Sequence, residues 1–265
     1  MPVPAYSCQG NSFGLVAEED IAALAVPSIA RQVKSDGLLL LEKSNRADVR
    51  VRLFEKDGTE SDLCGNGILC VAYHLARAHR SRSWAIEMGS KIHRATVHRN
   101  RVTAGFGRLE DPARFVGPAA SYAQSREQVL RFTHHHHTLY FVNSGEPHLF
   151  LLVRDMPQLD LREYEGIVTD ARIFPRGTNF SILTTRAPFR IRTFERGLNA
   201  FTGSCGTGSI AAAQLLILLG DADRRAFSFV SDGGVHEVTL DGDHVCLSGR
   251  VRIERPYVLS PASGF

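Results

Sequence analysis

The sequence predicts an α+β protein of two pseudo-symmetric domains, each a mostly antiparallel β-sheet or barrel around a central helix. Three internal matches carry that prediction. VRVRLFEKDG (Val49–Gly58) and FRIRTFERGL (Phe189–Leu198) both alternate apolar and basic residues, reach Phe-Glu, and pass through a basic residue into a polar loop. Nine positions after Glu55 and ten after Glu195 comes a cysteine, Cys64 or Cys205, followed by Gly-x-Gly and an apolar run. Upstream, CQGNSFGLV (Cys8–Val16) and NSGEPHLFL (Asn143–Leu151) each place a small polar turn around glycine before an apolar stretch. Three matches in the same order point to a duplicated unit of strand, loop, cysteine and helix.

The local patterns support each element. Alternation of period two in VRVRLFE and FRIRTFE is that of strands with one buried face. Ile68, Val71, Ala72 and Leu75 fall on one helical stripe after Cys64. Ile210 to Leu219 is apolar nearly all round, which predicts a helix through the middle of its domain. HRATVHRNRVTAGF (His93–Phe106) and HEVTLDGDHVCLSG (His236–Gly249) alternate again, with hairpin turns expected at Arg99–Asn100 and Gly242–Asp243.

Composition excludes several classes of function. A net charge of +3 spread over 265 residues is too mild for a nucleic-acid or acidic-membrane partner, and the short basic runs Arg80–Trp84 and His98–Arg101 read as solvated turns. MPVPAYSCQG lacks the basic and apolar regions of a secretory signal. SIAAAQLLILLG (Ser209–Gly220) is too short to span a bilayer. Five cysteines without CxxC spacing indicate neither a disulfide framework nor a zinc site. Cys8, Cys70 and Cys246 read as packing residues, and a reducing cytoplasm is the expected location. His134–His137 reads as an exposed strand start or loop, because neighbouring side chains on a strand point to opposite faces. No metal is expected.

Chemistry concentrates on Cys64 and Cys205. A cysteine at a helix N-terminus sits beside unpaired backbone N–H groups and the positive end of the helix dipole, which favour thiolate over thiol. The same donors form a cradle for a carboxylate. One such cysteine suits a nucleophile or a purely structural cap. Two of them, related by a repeat and facing one cleft, suit stereoinversion. One sulfur takes a proton from a carbon and the other delivers a proton to the opposite face.

With these motifs in view, the chain resembles the diaminopimelate epimerase family over nearly its whole length. The resemblance rests on GNSF (Gly10–Phe13), DG…CGNG (Asp57–Gly67), GEPH (Gly145–His148), FPRGTNF (Phe174–Phe180), ERG (Glu195–Gly197) and SCGTG (Ser204–Gly208). It implies a racemase or epimerase that works without pyridoxal phosphate, metal or other cofactor. Cys64 and Cys205 would be its bases. Gly65, Asn66, Gly206 and Thr207 would hold the α-carboxylate, while Asn11, Asn179, Glu195 and Arg196 line the rest of the substrate site. It also implies a first domain over residues 1–117, a second over 118–253, a final strand at 254–265 rejoining the first, a site at the domain junction, and a homodimer.

The chain departs from the family pattern at two positions that bear on the substrate. Glu55 stands where an asparagine is expected before the Asp-Gly loop, and Glu146 stands in place of the asparagine of GNPH. Two added carboxylates would repel the distal carboxylate of diaminopimelate, or pair with Arg196 and cancel its attraction. They would favour a cationic or hydrogen-bond-donating side chain. The sequence therefore predicts a racemase for a basic amino acid, histidine first, on the pattern of the histidine racemases of opine metallophore biosynthesis. The alternative is a diaminopimelate epimerase, with both glutamates turned away from the site. Two further readings are a hydrolase using one activated cysteine, which leaves the second Cys-Gly-Thr-Gly unexplained, and a non-catalytic amino-acid-binding protein. His148 is expected to brace its turn, and His74 to lie on the exposed side of its helix.

Overall fold

The computed structural model describes residues 2–21, 26–122, 124–126, 128–157, 162–198, 200–221 and 223–258. The chain divides into two compact units, Met1–Gly105 with Ser248–Phe265, and Phe106–Leu247. The division falls at Gly105 and not near Gly117, because the intervening segment is tied into the second unit. There the Leu109 N–H donates to Gln214 Oε1, and Glu110 forms a β-bridge with Asn143. The chain returns at Ser248 and not near Glu254; residues 259–265 of the expected final strand lie outside the described residues.

The first unit contains β1 (Pro2–Cys8), β2 (Asn11–Ala17), α1 (Val26–Gln32), β3 (Gly37–Glu42), β4 (Val49–Glu55), β5 (Glu60–Ser61), α2 (Gly65–Ala78), β6 (Ser83–Met88), β7 (Lys91–His98) and β8 (Arg101–Phe106). The second contains β9 (Gln124–Arg126), β10 (Val129–His134), β11 (His137–Asn143), β12 (Pro147–Val153), α3 (Arg162–Val168), β13 (Asn179–Thr184), β14 (Phe189–Glu195), β15 (Ala200–Phe201), α4 (Gly206–Leu218), β16 (Ala226–Ser231) and β17 (Gly234–Asp241). The last strand, β18 (His244–Val258), begins in the second unit and ends in the first.

In the first unit β1, β2, β3, β4, β6, β7 and β8 pair in that order, and β18 pairs with both β1 and β8, closing a barrel. Two of these pairings, β2 with β3 and β4 with β6, are parallel, because a helix returns the chain in each case: α1 in the first, α2 in the second. Strand alternation assigns the faces of β3. Leu38 and Leu40 pack with Val26, Ala30 and Val33 around α1, whereas Leu39 points inward to Gly67 at the start of α2. Gly65 to Ala72 are buried all round, so α2 lies within the barrel rather than resting one stripe on it. Amphipathic character appears only in its last turns, where Leu75 is half-buried. His74 is half-buried too, with Nδ1 3.0 Å from the Tyr6 hydroxyl, which corrects the exposed position expected for it.

The second unit repeats the order. β11 and β12 are antiparallel, β12 and β13 parallel around α3, β13 and β14 antiparallel, β14 and β16 parallel around β15 and α4, and β16 and β17 antiparallel. β10 adds to β11 as β18 adds to β1. Helix α4 is buried from Gly206 to Leu216, in keeping with its mostly apolar sequence, and it carries Thr207, Ser209 and Gln214 into the core as buried polar residues. A second layer, in which Tyr164, Ile167 and Val168 of α3 meet Phe132, Phe141, Phe174 and Phe180, completes the core.

Both expected hairpin turns are present, with Arg99 at φ 56° and Gly242 at φ 56°. His134–His137 is itself a hairpin: His134 pairs with His137, and His135 at φ 53° occupies the turn. Among the described residues no cluster of three His, Cys, Asp or Glu side chains could hold a metal, and no helix is long and apolar enough to cross a membrane.

Three histidines are buried in these cores: His93, His148 and His236. Burial pulls the imidazole pKa of His93 and of His236 down to about 4, and that of His148 to about 3, with Arg196 adding to the last. Between the unfolded value of 6.5 and these folded values the unfolded chain binds more protons. Stability should therefore be full above pH 6.5 and fall as pH drops toward about 4, by several kcal/mol for the three together. Urea midpoints measured across that range check this, and a flat profile would contradict it.

Candidate active site

Each proposed proton carrier caps a helix. Cys64 precedes α2 with φ −139° and ψ 112°, and Cys205 precedes α4 with φ −124° and ψ 113°. The first turn of each helix presents N–H groups that have no acceptor within the helix. Glycine at the third helical position lets the neighbours close in. A Cβ on Gly67 would lie 3.4 Å from Cys64 Cβ and 3.1 Å from Leu39 Cδ2; one on Gly208 would lie 3.3 Å from both Cys205 Cβ and His148 Cε1.

The other three cysteines differ in setting. Burial pushes the Cys8 thiol up to about 12, drives Cys70 well above its ordinary value, and raises Cys246. None of these three lies in the first turn of a helix. Their chemistry is suppressed by desolvation, in keeping with a packing role.

In the first unit Asn66 and Asn11 meet. Asn66 Nδ2 donates to Asn11 Oδ1 at 2.7 Å, which ties the first turn of α2 to the start of β2. Cys64 Sγ accepts the Gly67 N–H at 3.3 Å. Glu55 ends β4 and is half-buried, and its Oε1 accepts the Ser61 hydroxyl at 2.6 Å. Ser61 lies on β5, the short strand just before Cys64.

In the second unit Glu195 ends β14 as Glu55 ends β4. Its Oε1 accepts the hydroxyl of Thr202, just beyond β15. The repeat thus puts a carboxylate steadied by a hydroxyl ahead of each cysteine. Asn179 is buried and braces the backbone on both sides: Nδ2 donates to the Pro147 carbonyl at 3.1 Å and Oδ1 accepts the Arg196 N–H at 3.0 Å.

Arg196 turns its guanidinium inward. Nη2 lies 2.5 Å from Glu146 Oε2, and Nη1 donates to the Arg176 carbonyl at 2.5 Å. The Glu146 side chain is only 7% exposed, so its charge is held in a poorly solvated place with Arg196 as its counter-ion. Of the two outcomes the sequence allowed for Glu146, repelling a distal carboxylate or neutralising Arg196, the structure has the ion pair.

Thr207 and His148 carry a contact that the sequence did not reveal. His148 is fully buried, and its Nε2 lies 3.1 Å from Thr207 Oγ1, which in turn lies 3.4 Å from Cys205 Sγ. The ring does not brace its own turn, as was expected. That turn is held instead by Asn143 Oδ1, which accepts the Gly145 N–H at 2.7 Å, and by Ser144, whose hydroxyl donates to the Thr207 carbonyl at 3.1 Å.

The chain is similar to known proteins over most of its length. The family model for diaminopimelate epimerase matches residues 140–254. A diaminopimelate epimerase of Methanothrix thermoacetophila is 30% identical, the match covering 82% of this chain and 77% of that protein. One from Geobacillus thermodenitrificans is 32% identical, covering 90% and 85%. Among solved structures, a predicted epimerase from Pseudomonas aeruginosa is similar with a TM-score of 0.70 at 16% identity over 98% of this chain and 99% of that one. A phenazine biosynthesis protein from Bacillus anthracis reaches 0.67 at 16% identity, over 98% and 99%. A hydroxyproline epimerase from Agrobacterium vitis, solved with trans-4-hydroxy-L-proline, reaches 0.64 at 14% identity, over 97% and 90%. At such identities the solved structures speak for the fold alone.

Proposed function

The chain belongs to the diaminopimelate epimerase family and is an isomerase of the epimerase and racemase type; from that premise we propose that it inverts Cα of a free amino acid, with Cys64 and Cys205 as its two proton carriers. The observation that carries this reading is the matched backbone conformation of the two cysteines at the N-cap positions of repeat-related helices. The thiolate of one removes the Cα proton, and the electron pair spreads into the α-carboxylate. The S–H of the other delivers its proton to the opposite face, leaving the two sulfurs in exchanged protonation states. Helix N–H groups at Gly65, Asn66, Gly206 and Thr207 supply hydrogen bonds where charge develops on the carboxylate. The chemistry calls on no group outside the chain.

Two substrates are in contention. The relatives' names support diaminopimelate. The pairing of Arg196 with Glu146 favours a second reading, a racemase for an amino acid with a cationic or donor side chain, histidine first. With its charge neutralised, Arg196 is a poor receptor for a second carboxylate.

Incubation in D₂O with diaminopimelate and with single L-amino acids, followed by NMR of Cα–H exchange, separates the readings. Exchange of diaminopimelate alone supports the first. Exchange of histidine without diaminopimelate supports the second. If neither diaminopimelate nor any standard amino acid exchanges, the proposed activity is lost and an amino-acid-binding role gains. Acylation of a cysteine by an ester or amide would favour the hydrolase.

A further inference from the structure

We propose that the cleft between α3 and the face of β13 and β14 turned away from α4 binds an uncharged bicyclic aromatic molecule that carries a hydrogen-bond acceptor. Tyr164, Val168, Phe180 and Phe194 form its walls, Arg162 and Glu165 stand exposed at its rim, and its volume is about 460 Å³.

The cleft is separate from the residues assigned to the substrate. On the α4 side of these strands, a Cβ on Gly208 would lie 3.2 Å from Thr193 Oγ1, and the Thr193 and Ser181 hydroxyls are 3.0 Å apart. Side chains alternate along a strand, so Phe180 and Phe194 face away from α4 and lie on the opposite side from their neighbours Asn179 and Glu195.

The repeat shows what closes the same place in the other half. Register pairs Leu38 with Phe54 across β3 and β4, and Phe180 with Phe194 across β13 and β14. In the first unit Val26 and Ala30 of α1 pack with Leu38 and Phe54, and Phe54 is only 4% exposed. Helix α1 also reaches the turn beyond β4. Arg31 Nε donates to the Asp57 carbonyl at 3.0 Å, and a Cβ on Gly58 would lie 3.0 Å from the Pro27 carbonyl oxygen. In the second unit Phe194 is only partly buried, and a Cβ on Gly197, in the turn beyond β14, would meet no atom within 4 Å among the described residues. Protein fills this layer in one half and leaves it open in the other.

The walls set the chemistry of the ligand. Tyr164 and Phe180 are stacked, with centroids 4.9 Å apart and planes at 27°, so a flat ring packs beside them as a further aromatic layer. The Tyr164 hydroxyl is buried and has no hydrogen-bond partner among the described residues. Burial, with Glu163 adding to it, raises its pKa and keeps it a donor. A buried donor without an acceptor is costly, and an acceptor on the ligand relieves that cost. Arg162 and Glu165 carry opposite charges, so the rim offers no net attraction for an ion. An apolar cavity on the order of 150 Å³ takes up a single benzene ring, and the larger space here suits two fused rings.

Quinoline and naphthalene test this, because they share a shape and differ by a ring nitrogen that accepts a hydrogen bond; both are uncharged near neutral pH. NMR titration of the full chain, read at the Tyr164 and Val168 signals, should show saturable binding of each. Tyr164→Phe should weaken quinoline by about 5- to 10-fold and leave naphthalene within about two-fold. Retained naphthalene binding also certifies the fold of that variant. Val168→Phe, which fills the cleft from α3, should abolish binding of both in a protein whose circular dichroism is unchanged. No saturable binding of quinoline, any result in Tyr164→Phe other than a selective loss of quinoline, or binding that survives Val168→Phe would each overturn the proposal. So would quinoline binding that appears only when a dimer is diluted, which would assign the cleft to a side chain of a second copy. The result is independent of the proton-carrier reading, which activity alone decides.

Discussion

Alanine in place of Cys64 or Cys205 should lower racemisation by about 10³-fold or more in kcat, within the range for removing a positioned acid or base. The loss has an asymmetry that no structural defect would imitate. With one sulfur gone, the other still reaches the proton on its own face, so each variant should retain slow Cα–H exchange with a single enantiomer and convert neither. The two variants should select opposite enantiomers. Cys246→Ala, which changes a thiol raised by burial and outside both helix caps, should stay within a few-fold of the parent. Chiral chromatography alongside deuterium incorporation reads both effects. Full inversion by either alanine variant would exclude the paired mechanism, and a covalent acyl adduct on one cysteine would move the protein to hydrolysis.

The duplicated Phe-Glu strand and Cys-Gly-x-Gly turn made both halves legible in the sequence, because each element is local: a period of two, a glycine, a cap. Contacts made by folding were not. His148 and Thr207 are 59 positions apart and meet only because β12 runs beside the start of α4. Neither residue has a neighbour in sequence that signals the other. The first helix was read as carrying one apolar stripe, yet it is enclosed. Asn66 is polar and Gly65 and Gly67 have no side chain to signal a core, although all three are buried. The domain boundary erred for a related reason. The resemblance put the boundary near Gly117, while the residue that captures the segment, Gln214, is a polar position on a distant helix.

The substrate question turns on Arg196, and Glu146→Asn should change the answer. At present the guanidinium meets a carboxylate at 2.5 Å and a backbone carbonyl at 2.5 Å, so its charge and donors are already engaged. A distal carboxylate brought near would approach Glu146 as well. At a separation of about 4 Å and an effective dielectric of about 20 that repulsion is about 4 kcal/mol, much the same size as the attraction of Arg196. The two cancel, and the site offers little net preference for an anion. Asparagine at 146 removes the repulsion and leaves Arg196 uncompensated. KM for diaminopimelate should then fall at least 10-fold, equivalent to about 1.4 kcal/mol, while KM for histidine rises. Glu55→Asn should add to the shift, because Glu55 ends β4 as Glu195 ends β14, each ahead of a cysteine. Circular dichroism of the variants guards against loss of fold, which is a real danger when one partner of a buried pair is removed. If Glu55→Asn with Glu146→Asn leaves the ratio of kcat/KM for diaminopimelate and histidine unchanged in a folded protein, the two glutamates have no part in choosing the substrate, and Arg196 is held by Glu146 for stability alone.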